Sequence, residues 1–260
     1  MKAGVSCADG GRVLSAGTSS GLVRTSLEQP ASRPLTRAGG LLPPLLAMAG
    51  LLCWPPERLD FYLSRFFHHP TAGFFLRHEF WLERVLHDGV RQVAALGAVG
   101  LLLCLAGSFL HPGARAWRRP LLYLVLAIAL SAASMPFLKN ATKVYCPQQL
   151  EEFGGVQPYV PLLAPVAAPH DTGRCWPGGH AATAFSLFAL YFVLRDRRPR
   201  QARWVLRAVL AGGAVLSAAQ IMRGEHFFSH NLWTMLIDWT ICLLLYRLLL
   251  YRLQSPGLSG

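Results

Sequence analysis

Residue types that could bind and transfer a phosphate group recur in the second half of the chain. They are two lysines, two adjacent glycines, an arginine and three histidines: Lys139, Lys143, Gly178, Gly179, His180, Arg223, His226 and His230. Lysine and arginine side chains bind phosphate oxygens, and a glycine-rich helix start presents backbone N–H groups to an anion. Histidine adds a nucleophile and a proton donor that work near neutral pH. Together these residues predict a phosphate-transfer site.

The polar residues stand at the ends of long uncharged segments. Two segments, 93–110 and 120–138, are each about 18 residues long, enough to cross a bilayer core of roughly 30 Å. Four shorter ones lie at 38–54, 181–194, 208–222 and 232–246. Hydrophobic residues make up 53% of the chain and charged residues only 15%, against about a quarter in soluble domains. We expect an all-α fold: a polytopic membrane protein with six transmembrane helices in a bundle.

The basic residues behind the net charge of +12 are unevenly distributed between the loops. Arginines cluster before the first predicted helix, between the second and third, between the fourth and fifth, and after the sixth: Arg12, Arg24, Arg33, Arg37, Arg115, Arg118, Arg119, Arg195, Arg197, Arg198, Arg200, Arg203, Arg247 and Arg252. Such loops stay on the cytoplasmic side of a membrane. We expect both termini in the bacterial cytoplasm and the phosphate site on the periplasmic face of the inner (plasma) membrane. The charge then needs no nucleic-acid partner.

The chain divides into a membrane domain and two tails. Residues 1–37 are rich in Gly, Ser and Arg without apolar periodicity, which predicts a disordered cytoplasmic tail. The six-helix domain covers residues 38–253, and residues 254–260 form a short C-terminal tail. After the first helix, segment 55–91 mixes aromatic and charged residues at helical spacing, which predicts one or two amphipathic helices in the outer interface. Its four histidines match no standard zinc spacing, so we expect no metal site.

The order of the polar residues resembles the type 2 phosphatidic acid phosphatase superfamily, whose members are membrane phosphatases with six helices. The first motif of that family is Lys, six residues, then Arg-Pro; this chain has Lys139 and then Cys146-Pro147. The second motif is Pro-Ser-Gly-His, and this chain has "PGGH" ending at His180. The resemblance covers residues 90–250 and is most similar to a bacterial membrane-associated branch. Lys143, one helical turn after Lys139, could replace the charge of the missing arginine.

The third motif, Ser-Arg, five residues, His, three residues, Asp, fits this chain in two registers. With His226 as nucleophile, His230 fills the aspartate position, Gln220 fills the arginine position, and Arg223 substitutes as phosphate ligand. With His230 as nucleophile, Thr234 fills the aspartate position and Arg223 is one residue out of register. The Gly-x-His triplet ending at His226 favours the first register. His230 would then accept a hydrogen bond from His226 and hold its tautomer.

The resemblance implies a two-step, metal-independent mechanism with no cofactor. His226 attacks the phosphorus and forms a phosphohistidine, while His180 protonates the leaving oxygen and later activates water. The cationic side chains and the amides of Gly178 and Gly179 would hold the phosphate oxygens. The implied activity is hydrolysis of a phosphomonoester or diphosphate on a lipid head group at the periplasmic face.

Two other functions fit the same residues. A lipid phosphotransferase would pass the phosphoryl group from the same phosphohistidine to a lipid acceptor. A catalytically inactive membrane transport or structural protein would account for Cys146, Gly178 and the missing aspartate. The expected partners are the bilayer and a lipid phosphate: undecaprenyl diphosphate, phosphatidic acid, phosphatidylglycerol phosphate and lipid A are all compatible. The sequence leaves the oligomeric state open.

Two of the six cysteines fall in the loop between the third and fourth predicted helices. Cys146 and Cys175 would share an oxidising compartment, so we expect a disulfide between them. It would tie the Lys139 end of one helix to the His180 end of the next. The alternative is a pair of free thiols in a buried loop.

Overall fold

The computed structural model describes residue 35, residues 40–162 and residues 173–251, with His87 described by its backbone alone. The predicted tail at 254–260 lies outside the described residues, as does all of the predicted tail at 1–37 except residue 35. The same holds for Cys7.

The described part of the chain is built from eight α-helices. They are α1 (Leu42–Cys53), α2 (Glu57–Phe66), α3 (Val90–Leu110), α4 (Arg118–Thr142), α5 (Gly179–Phe185), α6 (Phe188–Leu194), α7 (Pro199–Met222) and α8 (Phe228–Leu249). A π-helix at Trp81–Gly89 leads into α3, and short 3₁₀ turns lie at Pro112–Trp117, Pro147–Gln149 and Glu151–Phe153. Two antiparallel two-residue strands, β1 (His68–His69) and β2 (Gly73–Phe74), form a small hairpin. The all-α prediction is therefore confirmed.

Four helical runs are long and apolar enough to cross a bilayer: Trp81–Leu110, Pro112–Gln149, Pro199–Met222 and Phe228–Leu249. The outer side of α3 carries large apolar side chains in contact with no protein, such as Val93 at 71% exposure and Leu96 at 73%. Exposed apolar surface on this scale is normal where lipid covers it and is rare on soluble monomers. The chain is therefore a multi-pass membrane protein.

The structure has four of the six predicted transmembrane helices at full membrane length, and two of the predicted spans are shorter. Helix α1 has 12 residues, which gives a length of about 18 Å. The predicted fourth span is α5 and α6, which the break at Ser186–Leu187 separates. The whole stretch Gly179–Leu194 extends over about 24 Å, less than the roughly 30 Å of the bilayer core. Only the four runs above satisfy the length criterion among the described residues.

The predicted spans at 208–222 and 232–246 are longer in the structure. Helix α7 begins at Pro199 and α8 begins at Phe228. Proline is well placed at the start of α7, because the first N–H of a helix has no intrahelical partner. Charged residues continue the helix outward beyond the apolar part, since long basic side chains can reach the interface. The end of an uncharged segment therefore does not mark the end of the helix.

Segment 55–91 contains one amphipathic α-helix, α2, followed by the hairpin and the π-helix. Aromatic side chains of this segment pack with apolar side chains from distant parts of the chain in one cluster. Its members are Phe61, Phe67, Phe74, Tyr145, Leu150, Phe153 and Phe227. Phe61 of α2 packs against Phe227, with 5.3 Å between the ring centres. The segment therefore covers the α7–α8 junction and joins the rest of the fold through these contacts.

Helices α5 and α6 form the centre of the bundle and pack against α4, α7 and α8. Small side chains such as Ala181 and Ala189 are fully buried on them, which lets the neighbouring helices approach closely. At Gly213 of α7 the backbone itself touches the ring of Phe185, and a Cβ at this position would overlap that ring. Glycine at 213 therefore determines how closely α7 packs on α5.

We expect Gly213→Ala to lower the melting temperature of the detergent-solubilised protein, because overpacking a tight contact costs about 1–3 kcal/mol. Gly212→Ala is the matched control, since the neighbouring position has nothing within 4 Å of an added Cβ. Alanine is the better helix former, so Gly212→Ala should be neutral or slightly stabilising. Equal melting temperatures for the two variants would contradict the packing described.

Candidate active site

The loop that leads into α5 is held by α8. Gly178 precedes α5, and its N–H donates to the carbonyl oxygen of His230 at 3.4 Å. The hydroxyl of Thr234, one turn further along α8, donates to the carbonyl oxygen of Gly178 at 3.1 Å. Both backbone groups of Gly178 are therefore directed to α8. The N–H of Gly178 is already used in its bond to His230. The N–H of Gly179, in the first turn of α5, has no intrahelical partner and is therefore better placed than that of Gly178 to bind an anion.

Gly178 has no room for a side chain. An added Cβ would collide with Oδ1 of Asn231 and would lie 3.4 Å from Oγ1 of Thr234. Asn231 is held in this position because its Nδ2 donates to the carbonyl of Phe227 at 3.1 Å. The glycine in place of the serine of the second motif therefore has a packing reason. Asn231 was not identified from the sequence, because no spacing relates it to the "PGGH" loop.

His226 and His230 are buried side by side at the α7–α8 junction, with exposures of 4% and 6%. His226 lies in the connecting loop and His230 in the first turn of α8. Their ring centres are 6.0 Å apart. Nδ1 of neither ring has a hydrogen-bond partner within the described residues. The predicted hydrogen bond between the two rings is therefore not formed through these atoms.

A tight turn after α7 places His226. Gly224 has a φ of +70°, a value that favours glycine, and the ring of Phe74 packs where its side chain would be. The carbonyl oxygen of Gln220 accepts the N–H of Glu225 at 2.9 Å and that of His226 at 3.3 Å. Gln220, in the arginine position of the third motif, thus holds the turn through its backbone.

Lys139 joins the end of α4 to the start of α5. Its Nζ lies 3.4 Å from the position that a Cβ of Gly179 would take, so glycine allows the ammonium group to approach the helix start. Both Lys139 and the half-buried His180 lie near enough to His226 to act on it electrostatically. Lys139 acts on His230 in the same way. The fold therefore brings together Lys139, Gly179 and all three histidines.

Burial lowers the pKa of His226 well below that of an ordinary histidine, and the charges of Lys139, His230 and His180 lower it further. A hydrogen bond to the carbonyl of Cys175 opposes the shift. The ring is therefore neutral at neutral pH. A neutral imidazole keeps the lone pair that nucleophilic attack requires.

For two other predicted phosphate ligands, no direct contact with this group is among the contacts described. Lys143 is exposed and follows the end of α4 with a left-handed φ of 54°. Arg223 is buried, and its Nε donates to the carbonyl oxygen of Arg77 at 3.0 Å. Its Nη1 is buried without a partner among the described residues. Arg77, which also lies 4.0 Å from Glu225, could not be found from the sequence because it is far from every motif.

A disulfide joins Cys146 and Cys175, the two residues named from the sequence, with a Cα–Cα distance of 5.0 Å. The N–H of Cys175 also donates to the carbonyl oxygen of Val144 at 3.0 Å. The loop before α5 is thus tied to the chain just beyond α4. This connection fixes the end of α4, which carries Lys139, relative to the start of α5, which carries His180.

An apolar cavity of about 700 Å³ adjoins the start of α5. Helices α3, α4, α5 and α6 line it, with Leu216 from α7. Its wall includes Gly179 near the polar site, then Met135, Ala182 and Leu190 further along. A single space therefore runs from the polar site along apolar walls inside the bundle.

The model of the PAP2 superfamily matches residues 120–254, which contain α4 except its first two residues, all of α5 to α8, and every predicted site residue. A solved structure, that of the first transmembrane PAP2 type phosphatidylglycerolphosphate phosphatase from Bacillus subtilis, is similar in fold. Its TM-score is 0.51 at 17% identity, and the match covers 80% of this chain and 94% of that one. None of the curated proteins compared gives a match.

The disulfide can be tested by mass spectrometry of unreduced, alkylated protein. Trypsin cleaves after Lys143 and Arg174, so we expect peptides 144–174 and 175–195 to be recovered as one cross-linked species. Cys53 and Cys104 are free and exposed, and they serve as the control because they should be alkylated in the same sample. Alkylation of both Cys146 and Cys175 without reductant would contradict the pairing.

The steric role of Asn231 leads to a second prediction. We expect Gly178→Ser to lower the melting temperature, because the new side chain displaces Asn231 and breaks its bond to Phe227. In a background of Asn231→Ala the same serine should cost less than half as much. A serine that is equally harmful in both backgrounds would show that Asn231 is not what excludes it.

Proposed function

Because this chain belongs to the PAP2 superfamily, we propose that it is a metal-independent lipid phosphatase that hydrolyses a phosphomonoester or diphosphate on a lipid head group. One observation carries the proposal. Lys139, His180, His226 and His230 meet at the start of α5, where an apolar cavity begins. A cation, a neutral buried imidazole and a second histidine beside an apolar space suit a phosphate attached to a lipid chain.

The proposed first step is in-line attack of His226 on phosphorus. A P–N bond forms as the P–O bond to the lipid breaks, and His180, as imidazolium, gives its proton to the departing oxygen. In the second step His180 takes a proton from water, which attacks the phosphohistidine and releases inorganic phosphate. The fixed positive charges stabilise the phosphate oxygens in both transition states, so no metal ion or cofactor is required.

Lys139 and the amide of Gly179 are the principal phosphate ligands in this scheme. The unpartnered Nη1 of Arg223 would find its acceptor in a phosphate oxygen, since a buried guanidinium nitrogen without a partner is costly. Lys143 adds positive charge just beyond α4. His230, in the aspartate position, takes a proton from His226 as the P–N bond forms.

The cavity of about 700 Å³ is proposed to hold the lipid chain, because its walls are apolar and it reaches Gly179. A lipid phosphate such as phosphatidylglycerol phosphate is a suitable substrate, as the similarity in fold to a phosphatidylglycerolphosphate phosphatase suggests. Undecaprenyl diphosphate, phosphatidic acid and lipid A are further candidates. The head group determines which of them binds, since all four have long apolar chains.

The proposed topology has six membrane segments, with α1 and the pair α5–α6 as the two short ones. Arg115 lies between α3 and α4, Arg118 and Arg119 begin α4, and five more arginines lie between α6 and α7 or at the start of α7. The positive-inside rule then places both termini in the cytoplasm. The site faces the periplasm from the inner membrane.

We expect His226→Ala and His180→Ala each to reduce phosphate release from the preferred lipid by at least about a hundredfold, the usual effect of losing a nucleophile or general acid. His230→Ala should reduce it less. His111→Ala is the matched control, since this exposed histidine follows α3, away from the site. The assay uses purified protein and the four lipids named above.

Three results would overturn parts of this proposal. An active His226→Ala with an inactive His230→Ala would exchange the roles of the two histidines. Transfer of labelled phosphate to a lipid, in place of release as inorganic phosphate, would identify a phosphotransferase. Absence of both reactions with all four lipids would favour a catalytically inactive protein.

A further inference from the structure

A second, smaller cavity of about 130 Å³ lies on another side of His230. It shares no lining residue with the apolar cavity. Its polar lining comes from Glu57 and Asp60 of α2, from Tyr159, and from Ser229 and His230 of α8. The rest of the lining is mostly apolar, and a space of this volume has room for several water molecules beside the polar groups.

Asp60 lines this cavity and is bound to the start of α8. Its Oδ1 accepts the N–H of Ser229 at 2.8 Å, and its Oδ2 accepts the hydroxyl of Ser229 at 2.5 Å. Asp60 is only 5% exposed. A carboxylate at a helix N-terminus satisfies free N–H groups and interacts favourably with the helix dipole. The charge of Asp60 is thus held on Ser229, the residue before His230 in the chain, and both Asp60 and His230 line the cavity.

His230 has a backbone hydrogen-bond partner in Cys175 but no negatively charged partner among its described contacts. When His226 attacks phosphorus, its ring becomes positively charged, and an aspartate at position 230 would stabilise that charge directly. Here position 230 holds a neutral imidazole, which itself becomes a cation when it takes the proton of the His226 ring. Its Nδ1 has no hydrogen-bond partner within the described residues. A buried imidazolium is costly unless a negative charge lies nearby.

We propose that Asp60 is a positioning residue that supplies the carboxylate missing from the third motif, stabilising protonated His230 across the cavity that both residues line. The proton leaves the His226 ring as the P–N bond forms, resides on His230, and returns when water cleaves the phosphohistidine. The inference rests on the proposed function, because it assigns Asp60 a part in that reaction.

The groups facing Asp60 determine its ionisation. Burial raises the pKa of Asp60 to about 6, the nearby Glu57 raises it too, and the bonds from Ser229 lower it. Tyr159 donates its hydroxyl to Glu57 at 3.1 Å, and His230 faces the cavity from α8. Asp60 is therefore mostly ionised at pH 7 and becomes neutral as the pH falls through about 6. If its charge is needed, kcat should fall over the same interval.

Asp60→Asn tests the charge while keeping an oxygen that can accept the N–H of Ser229. We expect kcat to fall about ten- to a hundredfold, as for lost partners of functional histidines, with KM changed less than about threefold. The fall in kcat that we expect for the wild type as the pH drops through about 6, the acidic limb of its pH profile, should be absent in this variant. Glu57→Gln is the matched control, because it removes the other carboxylate of the cavity; its kcat should stay within about threefold of the wild type.

A double-mutant cycle separates this role from a purely structural one. His230→Asp places a carboxylate directly beside His226, so Asp60→Asn should change kcat less than about threefold in that background. A structural role for Asp60 would lower kcat equally in both backgrounds and would overturn the inference. So would a kcat within threefold of the wild type for Asp60→Asn alone.

Ser229→Ala provides a test that keeps Asp60, for use if Asp60→Asn does not fold. Losing the hydroxyl bond favours the neutral carboxyl group, so the acidic limb should move to higher pH. An unmoved limb would overturn the inference. If the wild type releases no phosphate, the proposed function fails and this inference fails with it. A fully active His226→Ala removes the nucleophile on which the inference depends and overturns the inference without excluding a phosphatase. If the wild type is active and His226→Ala is inactive, a negative outcome concerns Asp60 alone.

Discussion

Placing a half-buried ammonium group and three imidazoles, two of them buried, at one end of an apolar helix bundle is the constraint on which the rest of the structure depends. An ionised group in such surroundings is costly unless it is paired. The protein meets the constraint by keeping His226 neutral through burial and through the positive charge of Lys139. Glu225 places one negative charge near Lys139, and an anion bound beside the histidines would add another. A phosphate group supplies that charge, so the features that make the empty site costly favour binding of the substrate class proposed.

Such a site must be held by its surroundings, because its members repel each other. Three connections do this, each at the edge of the site. The disulfide ties the loop before α5 to the end of α4, Thr234 ties Gly178 to α8, and Asp60 ties α2 to the start of α8. The short central pair α5–α6 then packs between α4, α7 and α8, with glycine and alanine at the closest contacts. Rigid support of this kind keeps functional side chains in position without added contacts among them.

The two cavities beside the site differ in the polarity of their lining. The larger one begins at Gly179 and is apolar, whereas the smaller one begins at His230 and carries two carboxylates. Under the proposed function, the lipid chain occupies the first and the proton chemistry is supported from the second. Two departures from the family motifs fit this arrangement. At Gly178, where the second motif has serine, Asn231 fills the space of the serine side chain. At His230, where the third motif has aspartate, the inferred carboxylate is that of Asp60 from α2, which binds the neighbouring Ser229.

The sequence alone determined the all-α membrane class, the residues with the chemistry of a phosphate site, and the pair of cysteines that the structure joins. These are properties of composition and of short spacings, which hydrophobic length and motif order reveal directly. It did not determine the helix lengths at α1 and α5–α6, since helix breaks and ends depend on packing against neighbours. It also grouped Lys143 and Arg223 with the histidines as phosphate ligands, a role that stays a prediction. Asp60 accepts the N–H of Ser229, which is 169 residues away in the chain, and Asn231 of α8 packs against Gly178 at the start of α5. No local pattern encodes such contacts, because only the packing of α2, α5 and α8 on one another brings these atoms together.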